Sequence, residues 1–259
     1  DKILDINVNV SGRVNPESGY SYSWFNFGED TLAQVMTDRI GIDVYIDNDT
    51  RAMTYGEYLK GNISEKKHIL FVNLSWGLGL GIIIDGNLYM GKSGFAGEFG
   101  HFPAYDNEIM CHCGKKGCLE TEASGSAMYR KLIERYNNGE QTFLSDAIES
   151  GKKITLEDFI DATNHEDMLC IELAEELGHE LGKNIAGLIN IFNPEVVIIG
   201  GILSQLGDYV LLPIKTAVRK HSLNLVNRDT TIKLSVLKDR AGIIGACMMA
   251  RSRIFIDEA

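Results

Sequence analysis

Residues 98–101 of this chain read Glu-Phe-Gly-His, and residues 111–120 read Cys-His-Cys-Gly-Lys-Lys-Gly-Cys-Leu-Glu. Three thiolates and one imidazole form a complete tetrahedral shell for zinc, and no position of that shell stays open for a reactive water. We therefore predict a structural Zn²⁺ site with four ligands: His101, Cys111, Cys113 and Cys118. Such an ion would hold a loop in place and orient Glu98 without activating water.

Two alternatives stay open for this stretch. His112 could be the fourth ligand, although binding cysteines on both sides of it leave its ring poorly placed. The three cysteines could also be reduced structural residues that hold no metal. Glycines at 114 and 117 favour the metal, because they let a short loop fold back around one ion.

The composition is that of a folded protein with an acidic surface. With 44% hydrophobic and 24% charged residues, the 259-residue chain is neither disordered nor collagen-like. Lys and Arg number 25 while Asp and Glu number 36, so a net charge of −11 would repel the phosphate backbone of DNA. No apolar run approaches the roughly 18 residues of a membrane span. Five cysteines, three of them between 111 and 118, indicate a reducing cytoplasm and not a disulfide framework.

The order of the predicted elements is that of an α/β protein. Strands are predicted at residues 3–10, 44–46, 69–74, 82–84, 87–89, 196–199 and 232–237. Helices are predicted at residues 31–39, 52–59, 126–136, 155–162, 167–191, 209–220 and 241–251. Strands that alternate with helices indicate an α/β fold with mixed sheets. A glycine-rich loop is predicted to run from residue 75 through Gly81.

Asn48 and Asp49 lie between a predicted strand and a predicted helix. Side chains at the carboxyl end of a strand face the crevice in which α/β proteins bind ligands. There the Asp49 carboxylate could take a proton from a sugar hydroxyl while the Asn48 amide fixes a neighbouring hydroxyl. Alternatively, one of residues 47–50 caps the following helix. Both roles can hold, because the other polar residues remain free.

Two pairs of glycines also follow predicted strands. Gly77 and Gly79 stand at alternate positions after the 69–74 strand, where glycine lets backbone N–H groups approach a phosphate or a sugar. Gly200 and Gly201 could admit a nucleotide in the same way. A glycine-rich hairpin explains the first pair equally well, and a tight strand-to-helix turn explains the second.

A further carboxylate, Glu120, follows the last cysteine of the run by two positions. With Glu98 and Asp49 it would line one pocket. Carboxylates accept hydrogen bonds from hydroxyl groups, so such a pocket suits a neutral ligand with many hydroxyls. A solvated acidic surface is the alternative, and it applies more to Glu122 than to Glu120.

Taken together, these residues resemble the ROK family, which comprises sugar kinases and sugar-responsive transcriptional repressors. The matching motifs extend over most of the chain in the family's order: Gly97–His101, the cysteine run that ends at Glu120, Asn48-Asp49, and Pro194–Gly201. The resemblance implies an actin-like ATPase (ribonuclease H-like) fold with two lobes around a cleft, and a zinc held by one His and three Cys.

The resemblance also implies a domain organisation and a set of sugar contacts. Residues 1–60 with 241–259 would form an incomplete N-terminal lobe, onto which the last helix packs back. Residues 61–240 would form a larger lobe with the zinc loop and dimerisation helices. The implied sugar contacts are Asn48, Asp49, Glu98, His101 and Glu120, and Asp49 would be the catalytic base in a kinase.

Two departures from the kinase pattern favour the repressor branch. No Asp-x-Gly-x-Thr phosphate hairpin occurs in the chain, and we expect it to precede Asp1. Ser75-Trp76 stand where kinases have Gly-Thr, so a bulky indole would lie beside the nucleotide phosphates.

The first hypothesis is therefore the sugar-binding and dimerisation region of a homodimeric repressor. Its winged helix-turn-helix would precede this chain and bind operator DNA. The alternative is a hexose or N-acetylhexosamine kinase that uses ATP and Mg²⁺, with Asp49 as the base. A sugar-binding protein with neither role is the third reading.

Overall fold

The computed structural model describes residues 3–23, 25 and 27–255 of the chain. The strands are β1 (Ile6–Val10), β2 (Val14–Asn15), β3 (Tyr20–Ser21), β4 (Val44–Asn48), β5 (Ile69–Leu74), β6 (Leu78–Ile84), β7 (Asn87–Leu88), β8 (Val196–Gly200) and β9 (Thr231–Leu234). The helices are α1 (Leu32–Ile40), α2 (Asp49–Lys60), α3 (Gly125–Asn137), α4 (Ser145–Glu149), α5 (Leu156–Asn164), α6 (Met168–Phe192), α7 (Asp208–His221), α8 (Asn224–Asp229) and α9 (Ala241–Ile254).

The predicted α/β order is confirmed, with two corrections. The loop predicted to run through Gly81 is wrong, because β6 begins at Leu78. Glycine at 81 is required inside this strand, since a Cβ there would lie 1.8 Å from the Thr54 hydroxyl. The strand predicted over 232–237 ends at Leu234, and β9 pairs with β8 only as far as that residue.

The chain forms two compact units. Unit 1 comprises Asp1–Phe71, Leu80–Gly97 and Asp239–Ala259, and unit 2 comprises Val72–Gly79 and Glu98–Lys238. The lobes predicted at 1–60 with 241–259 and at 61–240 stay a prediction, and residues 1, 2 and 256–259 lie outside the described residues.

Strand β5 lies at the centre of a five-stranded sheet. The five-stranded sheet has the order β7-β6-β5-β8-β9, with β6 and β7 antiparallel and β8 and β9 parallel. All six residues of β5 are buried, as expected for a central strand covered on both faces.

Unit 1 is organised around a parallel pair of strands and a close helix pair. β1 pairs with β4, and Val10 lies opposite Asn48 at their carboxyl ends. A small apolar core lies beside this pair and includes Val10, Val14, Leu32 and Ile46. α2 packs on α9 at glycines, because a Cβ on Gly56 would lie 2.3 Å from the Ala241 carbonyl oxygen.

Unit 2 is organised around the 25-residue helix α6. Asp167 caps its first turn by accepting a hydrogen bond from the Cys170 N–H at 3.0 Å. The buried side chains recur every four residues along one face, which is the pattern of an amphipathic helix: Leu169, Leu173, Leu177, Leu181, Ile185 and Ile189. α7 packs closely here, since a Cβ on Gly182 would lie 2.7 Å from the Ile214 carbonyl oxygen.

Among the described residues, no helix combines the length and the apolar character that a bilayer crossing requires.

Candidate functional site

Four potential metal ligands of unit 2 converge on one point. The ligand atoms of His101, Cys111, Cys113 and Cys118 all lie within 4.8 Å of one another. Cys111 Sγ lies 3.6 Å from His101 Nδ1, and Cys113 Sγ lies 3.7 Å from Cys118 Sγ. These four residues are the ligands that the sequence pattern predicts.

The spacing of these atoms fits a tetrahedral zinc ion. With Zn–S bonds of about 2.3 Å and Zn–N bonds of about 2.0–2.1 Å, tetrahedral angles place two ligand sulfurs about 3.8 Å apart and a sulfur and a nitrogen about 3.6 Å apart. The two measured separations agree with these values. Three sulfurs and one nitrogen are also the donor set of structural zinc sites.

The loop that brings the cysteines together depends on glycine. Gly114 and Gly117 adopt φ angles of +85° and +71°, in the left-handed region. At Gly117 a Cβ would lie 2.0 Å from the Tyr105 carbonyl oxygen. The loop therefore folds back as the sequence predicts, because only glycine tolerates this backbone and this approach.

The Cys111 thiol is buried, and its burial raises its pKa to about 12. A coordinated cation has the opposite effect, because it removes the thiol proton outright. Binding of a metal at this cluster would therefore release protons to the solvent.

The second nitrogen of His101 points to Glu98. His101 Nε2 lies 3.7 Å from Glu98 Oε2, and the Glu98 side chain is 41% exposed. Histidines that bind metals commonly donate their second N–H to a carboxylate, which fixes the orientation of the ring. Glu98 can do so for His101 and still present an exposed carboxylate oxygen to a ligand.

Both oxygens of the buried Glu120 carboxylate have partners within unit 2. The Leu78 N–H donates to Oε2 at 2.8 Å, and His112 Nδ1 lies 2.9 Å from Oε1. His112 therefore contacts Glu120 through its Nδ1 atom. Cys111, His112 and Glu120 also form a second group whose atoms could hold a cation.

Two glycines leave the space that the Glu120 carboxylate occupies. A Cβ on Gly77 would lie 2.7 Å from Glu120 Oε2, and a Cβ on Gly100 would lie 3.2 Å from the same oxygen. The sequence singled out Gly77 for a phosphate or a sugar, whereas here it makes room for a protein carboxylate. Gly79 lies within β6 and is not part of a loop.

The segment 101–118, which we call the metal loop because it carries the four potential ligands, is also tied to α6 by a side chain that was not predicted. The Tyr105 hydroxyl donates to Glu180 Oε2 at 2.9 Å, and Lys183 Nζ lies 2.6 Å from Glu180 Oε1. Burial, followed by the bond to Glu180, raises the pKa of Tyr105. Burial raises the pKa of Glu180, but the hydrogen bonds from Lys183 and Tyr105 outweigh it and the net pKa is lowered.

In unit 1, the Asn48–Asp49 turn is held by hydrogen bonds to backbone groups and to one serine hydroxyl. Asn48 is the N-cap of α2: its Oδ1 accepts from the Arg51 N–H at 3.1 Å, and its Nδ2 donates to the Gly12 carbonyl at 2.9 Å. The Ser11 hydroxyl donates to Asp49 Oδ2 at 2.6 Å. The capping role of this segment is therefore confirmed and belongs to Asn48.

A buried arginine next to this turn holds three chain segments together. Arg51 is 4% exposed, and its Nε donates to Asp47 Oδ1 at 2.6 Å. Its two terminal nitrogens donate to the carbonyls of Val14, at 3.1 Å, and of Gly94. The sequence analysis passed over Arg51, although a pair of opposite charges at positions i and i+4 around Asn48-Asp49 was a signal for it.

The segment Ser75–Trp76 occupies the N-terminus of α3. The Gly125 N–H donates to the Ser75 carbonyl and the Ser126 N–H donates to the Trp76 carbonyl, each at 2.9 Å. The next donor, the Ala127 N–H, bonds the hydroxyl of the N-cap Ser124 at 3.2 Å. Helix N-termini bind anions through such N–H groups, and here protein oxygens accept from them.

Gly201 follows β8 with a φ of +79° and lies against the end of β5. A Cβ there would lie 2.4 Å from the Leu74 carbonyl oxygen and 2.6 Å from Asn73 Oδ1. Gly200 is the last residue of β8. The pair therefore serves the tight turn that the sequence analysis left open, and its contact with a nucleotide stays a prediction.

The fold is the α/β actin-like ATPase fold, with a cluster of one His and three Cys in unit 2 and an acid–amide turn in unit 1. The family model that matches residues 1–253 is described as the ROK family. The chain belongs to the ROK family, as the sequence motifs indicated.

Relatives of both functional branches are similar to this chain. It is 33% identical over 256 residues to the xylose repressor of Caldicellulosiruptor bescii, covering 96% of this chain and 63% of the repressor. It is 30% identical over 254 residues to the glucokinase of Halalkalibacterium halodurans, covering 97% of this chain and 77% of that enzyme. These identities do not distinguish the repressor branch from the kinase branch.

Solved structures give the same pair of branches. A ROK family transcriptional regulator, a homologue of the Escherichia coli MLC protein, superposes with a TM-score of 0.83 at 31% identity, with 97% of this chain and 63% of that one covered. A ROK family glucokinase from Streptomyces griseus, in complex with glucose and AMPPNP, superposes with a TM-score of 0.86 at 28% identity. That match covers 97% of this chain and 82% of the enzyme.

Proposed function

We propose that this chain is the sugar-binding region of a ROK transcriptional regulator. The observation that carries the proposal is the Ser75–Trp76 segment at the N-terminus of α3. Ser75 and Trp76 stand where the kinase pattern has glycine and threonine, so a bulky indole would lie beside the nucleotide phosphates and the threonine hydroxyl is absent. The Trp76 indole is 51% exposed and lies against Tyr129 with ring centroids 5.9 Å apart.

The side chain of Ser75 supports the same proposal. Its hydroxyl donates to Asn73 Oδ1 at 2.8 Å and accepts from the Ile202 N–H at 3.3 Å. The Ser75 hydroxyl therefore donates one hydrogen bond and accepts another within the protein. Its proton is not available to a phosphate or a metal-bound nucleotide. The segment thus acts as a brace between β5, α3 and the turn after β8.

The proposed ligand is a sugar or an amino sugar. We assign its recognition to Asn48 and Asp49 of unit 1 and to Glu98, His101 and Glu120 of unit 2, on the basis of membership of the ROK family. Carboxylates and a carboxamide accept hydrogen bonds from hydroxyl groups at defined positions. The exposed oxygen of Glu98 and the half-buried carboxylate of Asp49 suit this role.

We further propose that zinc occupies the cluster of His101 and the three cysteines. When bound, the ion would act as a structural crosslink and would not provide a reactive water. Its effect on the sugar would be indirect. Residues around it orient Glu98 through His101 and Glu120 through Cys111 and His112.

In this proposal the whole protein is a homodimer in a reducing cytoplasm, and operator DNA is bound by a segment that precedes this chain. Binding of sugar must favour one of two states of the protein, because a ligand with equal affinity for both states shifts neither. The acidic net charge of −11 is consistent with a region that does not itself contact DNA.

A sugar kinase is the second candidate, and Asp49 favours it. Its carboxylate is held by the Ser11 hydroxyl and by the Thr50 N–H at 2.7 Å, so it is oriented as a base must be. As a base, Asp49 would take a proton from the attacking sugar hydroxyl. Phosphate binding and ATP-linked Mg²⁺ would then be needed as well.

Calorimetric titration separates the two candidates. The chain is titrated with glucose, xylose, N-acetylglucosamine and N-acetylmannosamine, each with and without Mg-ATP, while ADP release is followed. Binding of a sugar without ADP release, lost in Asp49→Asn, is the expected result. ADP release that depends on the sugar and disappears in Asp49→Asn would make the protein a kinase.

A variant of the brace provides the matched control. Ser75→Gly combined with Trp76→Thr restores the kinase-like residues, and we expect it to bind the sugar with unchanged affinity and to gain affinity for Mg-ATP. Equal heats of Mg-ATP binding in both proteins would mean that the Ser75–Trp76 segment does not limit nucleotide binding. The argument for the regulator would then be lost.

A further inference from the structure

An exposed aromatic patch in unit 1 has no role in the site described above. Tyr20 and Tyr22 have ring centroids 4.8 Å apart, and Phe95 meets Tyr22 edge to face at 5.5 Å. We call these three residues the aromatic platform. Tyr22 is 53% exposed and Phe95 is 37% exposed, so their faces are open to solvent.

Hydrogen bonds hold the Tyr20 side chain and the backbone at Tyr22 in place. The Tyr20 hydroxyl donates to the Gly28 carbonyl at 3.2 Å, and the Tyr22 N–H donates to the Arg13 carbonyl at 2.9 Å. The Arg13 N–H in turn donates to the Ser23 hydroxyl at 2.9 Å. Rigid aromatic side chains offer contact area at a low entropic cost, and exposed apolar patches rimmed by polar groups commonly mark ligand sites.

Two independent routes connect the platform to the Asn48–Asp49 turn. Along the first, residues 11–13 bond the turn through Ser11 and Gly12 and bond the platform strand through Arg13. Along the second, Arg51 of the same helix donates to the Gly94 carbonyl, immediately before Phe95. The rings therefore lie on the same chain segments that hold the turn.

We propose that the aromatic platform binds the ring attached to the sugar, so that the ligand is a glycoside: a disaccharide or an aryl glycoside. This inference rests on the proposed sugar site. One face of a pyranose ring presents C–H groups and its rim presents hydroxyls, so such a ring covers an aromatic face while its hydroxyls stay solvated. Binding sites of this kind combine aromatic walls with a few placed polar groups.

Paired glycosides test the inference. The chain is titrated calorimetrically with the methyl β-glycosides of glucose, xylose and N-acetylglucosamine, with the matching phenyl β-glycosides, and with cellobiose, xylobiose and diacetylchitobiose. We expect the phenyl glycoside or disaccharide of the preferred sugar to bind about tenfold more tightly than the methyl glycoside, as one aromatic contact allows. Tyr22→Ala and Phe95→Ala should each reduce this advantage to about twofold or less and leave the affinity for the methyl glycoside unchanged.

Phe143→Ala is the matched control, because Phe143 is an exposed phenylalanine of unit 2. This variant should keep the full tenfold advantage. Equal affinity of the unsubstituted protein for the methyl and phenyl glycosides would overturn the inference and leave the sugar site intact. If a free sugar binds and none of its glycosides does, this inference fails and the proposed function stands; if neither binds, both fail.

A second copy of the chain is the other conceivable occupant of the platform. Sedimentation of the same variants separates the two cases. A change of oligomeric state in Tyr22→Ala and Phe95→Ala, with the glycoside affinities unaltered, would identify an interface between copies and contradict the glycoside assignment.

Discussion

The Asn48–Asp49 turn of unit 1 and the metal loop of unit 2 position their polar side chains in different ways. At the turn, every positioning contact comes from the chain itself: a helix cap, a serine hydroxyl and a buried arginine. In the metal loop, three thiols and an imidazole lie side by side in a short segment with little regular structure. The first arrangement is complete without a ligand, whereas the second acquires its strongest bonds only when a cation is bound.

The two regions should therefore respond differently to single substitutions. The turn depends on the buried Arg51–Asp47 ion pair and on the Asn48 cap. Substitution of Arg51 and of Asn48 should therefore each lower the stability by its own amount. The loop depends on four ligands that act together, so the loss of any one should abolish the whole contribution of the metal. Four predictions follow in order of expected size.

Removal of the metal should have the largest effect. Cys118→Ser, or treatment with a chelator, should lower the free energy of unfolding by several kcal/mol, because structural zinc contributes about 10 kcal/mol or more even in small peptides. Zinc content is measured by atomic emission and stability by thermal unfolding. Cys247→Ser changes an exposed cysteine outside the cluster and should leave both values unchanged; equal losses in the two variants would argue against a metal-dependent loop.

Arg51→Met should be the most damaging substitution at the turn. It leaves the Asp47 carboxylate, which is 7% exposed, without its charged partner, and loss of one partner of a buried ion pair costs about 3–5 kcal/mol. Urea unfolding measures this change. Arg130→Met removes a more exposed arginine that contacts Glu134 and should cost about 1 kcal/mol or less. If the two substitutions cost the same, the buried pair does not stabilise the turn.

Asn48→Ala should weaken the turn by about 1 kcal/mol, since it removes the N-cap of α2. Asn48→Asp keeps an oxygen that can accept from the Arg51 N–H, so it should recover most of the loss. Unfolding in urea gives both values. Sugar titration of both variants then distinguishes the capping role of Asn48 from its proposed contact with the sugar. A fully stable Asn48→Ala protein would show that the Ser11 hydroxyl and Arg51 hold the turn without the cap.

Tyr105→Phe should have the smallest effect, about 1 kcal/mol for one hydrogen bond. This substitution measures how much the Tyr105–Glu180 hydrogen bond, which does not involve the metal, stabilises the metal loop. The pKa of Glu180 is lowered in the folded protein, so its contribution to stability is present above its ordinary pKa of about 4.3 and is lost as the pH falls through the folded value.

Because Tyr105 is one cause of that lowered pKa, the phenylalanine variant should lose less stability between about pH 6 and pH 3 than the unsubstituted protein does. Thermal unfolding at several pH values in a chelator-free buffer gives the comparison. If the stability of the two proteins changes with pH in the same way, the Tyr105–Glu180 contact does not contribute to the pH dependence of stability.

The sequence predicted the metal cluster well, because its ligands are close together in the chain and their chemistry is specific. His101 and the three cysteines lie within a short segment, and glycines at 114 and 117 mark the bend. The longer helices were also predicted, since α6, for example, repeats its apolar residues at helical spacing and begins at an aspartate cap. The short helices α4 and α8 were not.

The contacts between distant segments were not predictable from residue patterns. Arg51 bonds Val14 and Gly94, and no local pattern specifies such partners. Glycine at 81 was misread for a related reason: it was predicted in a loop, but it lies within β6 and is small because Thr54 approaches it. A sequence records that a glycine is present without recording which neighbour requires it.

The division of unit 1 into three chain segments has a consequence for its synthesis. α2 lies near the start of the chain, and the Ala241–Ile254 helix that covers its glycine face comes at the end. At roughly 5–20 residues per second, the ribosome needs about ten seconds or more to supply that cover after α2 has emerged. Unit 2 is by then fully translated, so α2 is made before unit 2 and completes its packing after it. During that interval the bare face of α2 is the part of the nascent protein that a chaperone would have most reason to bind.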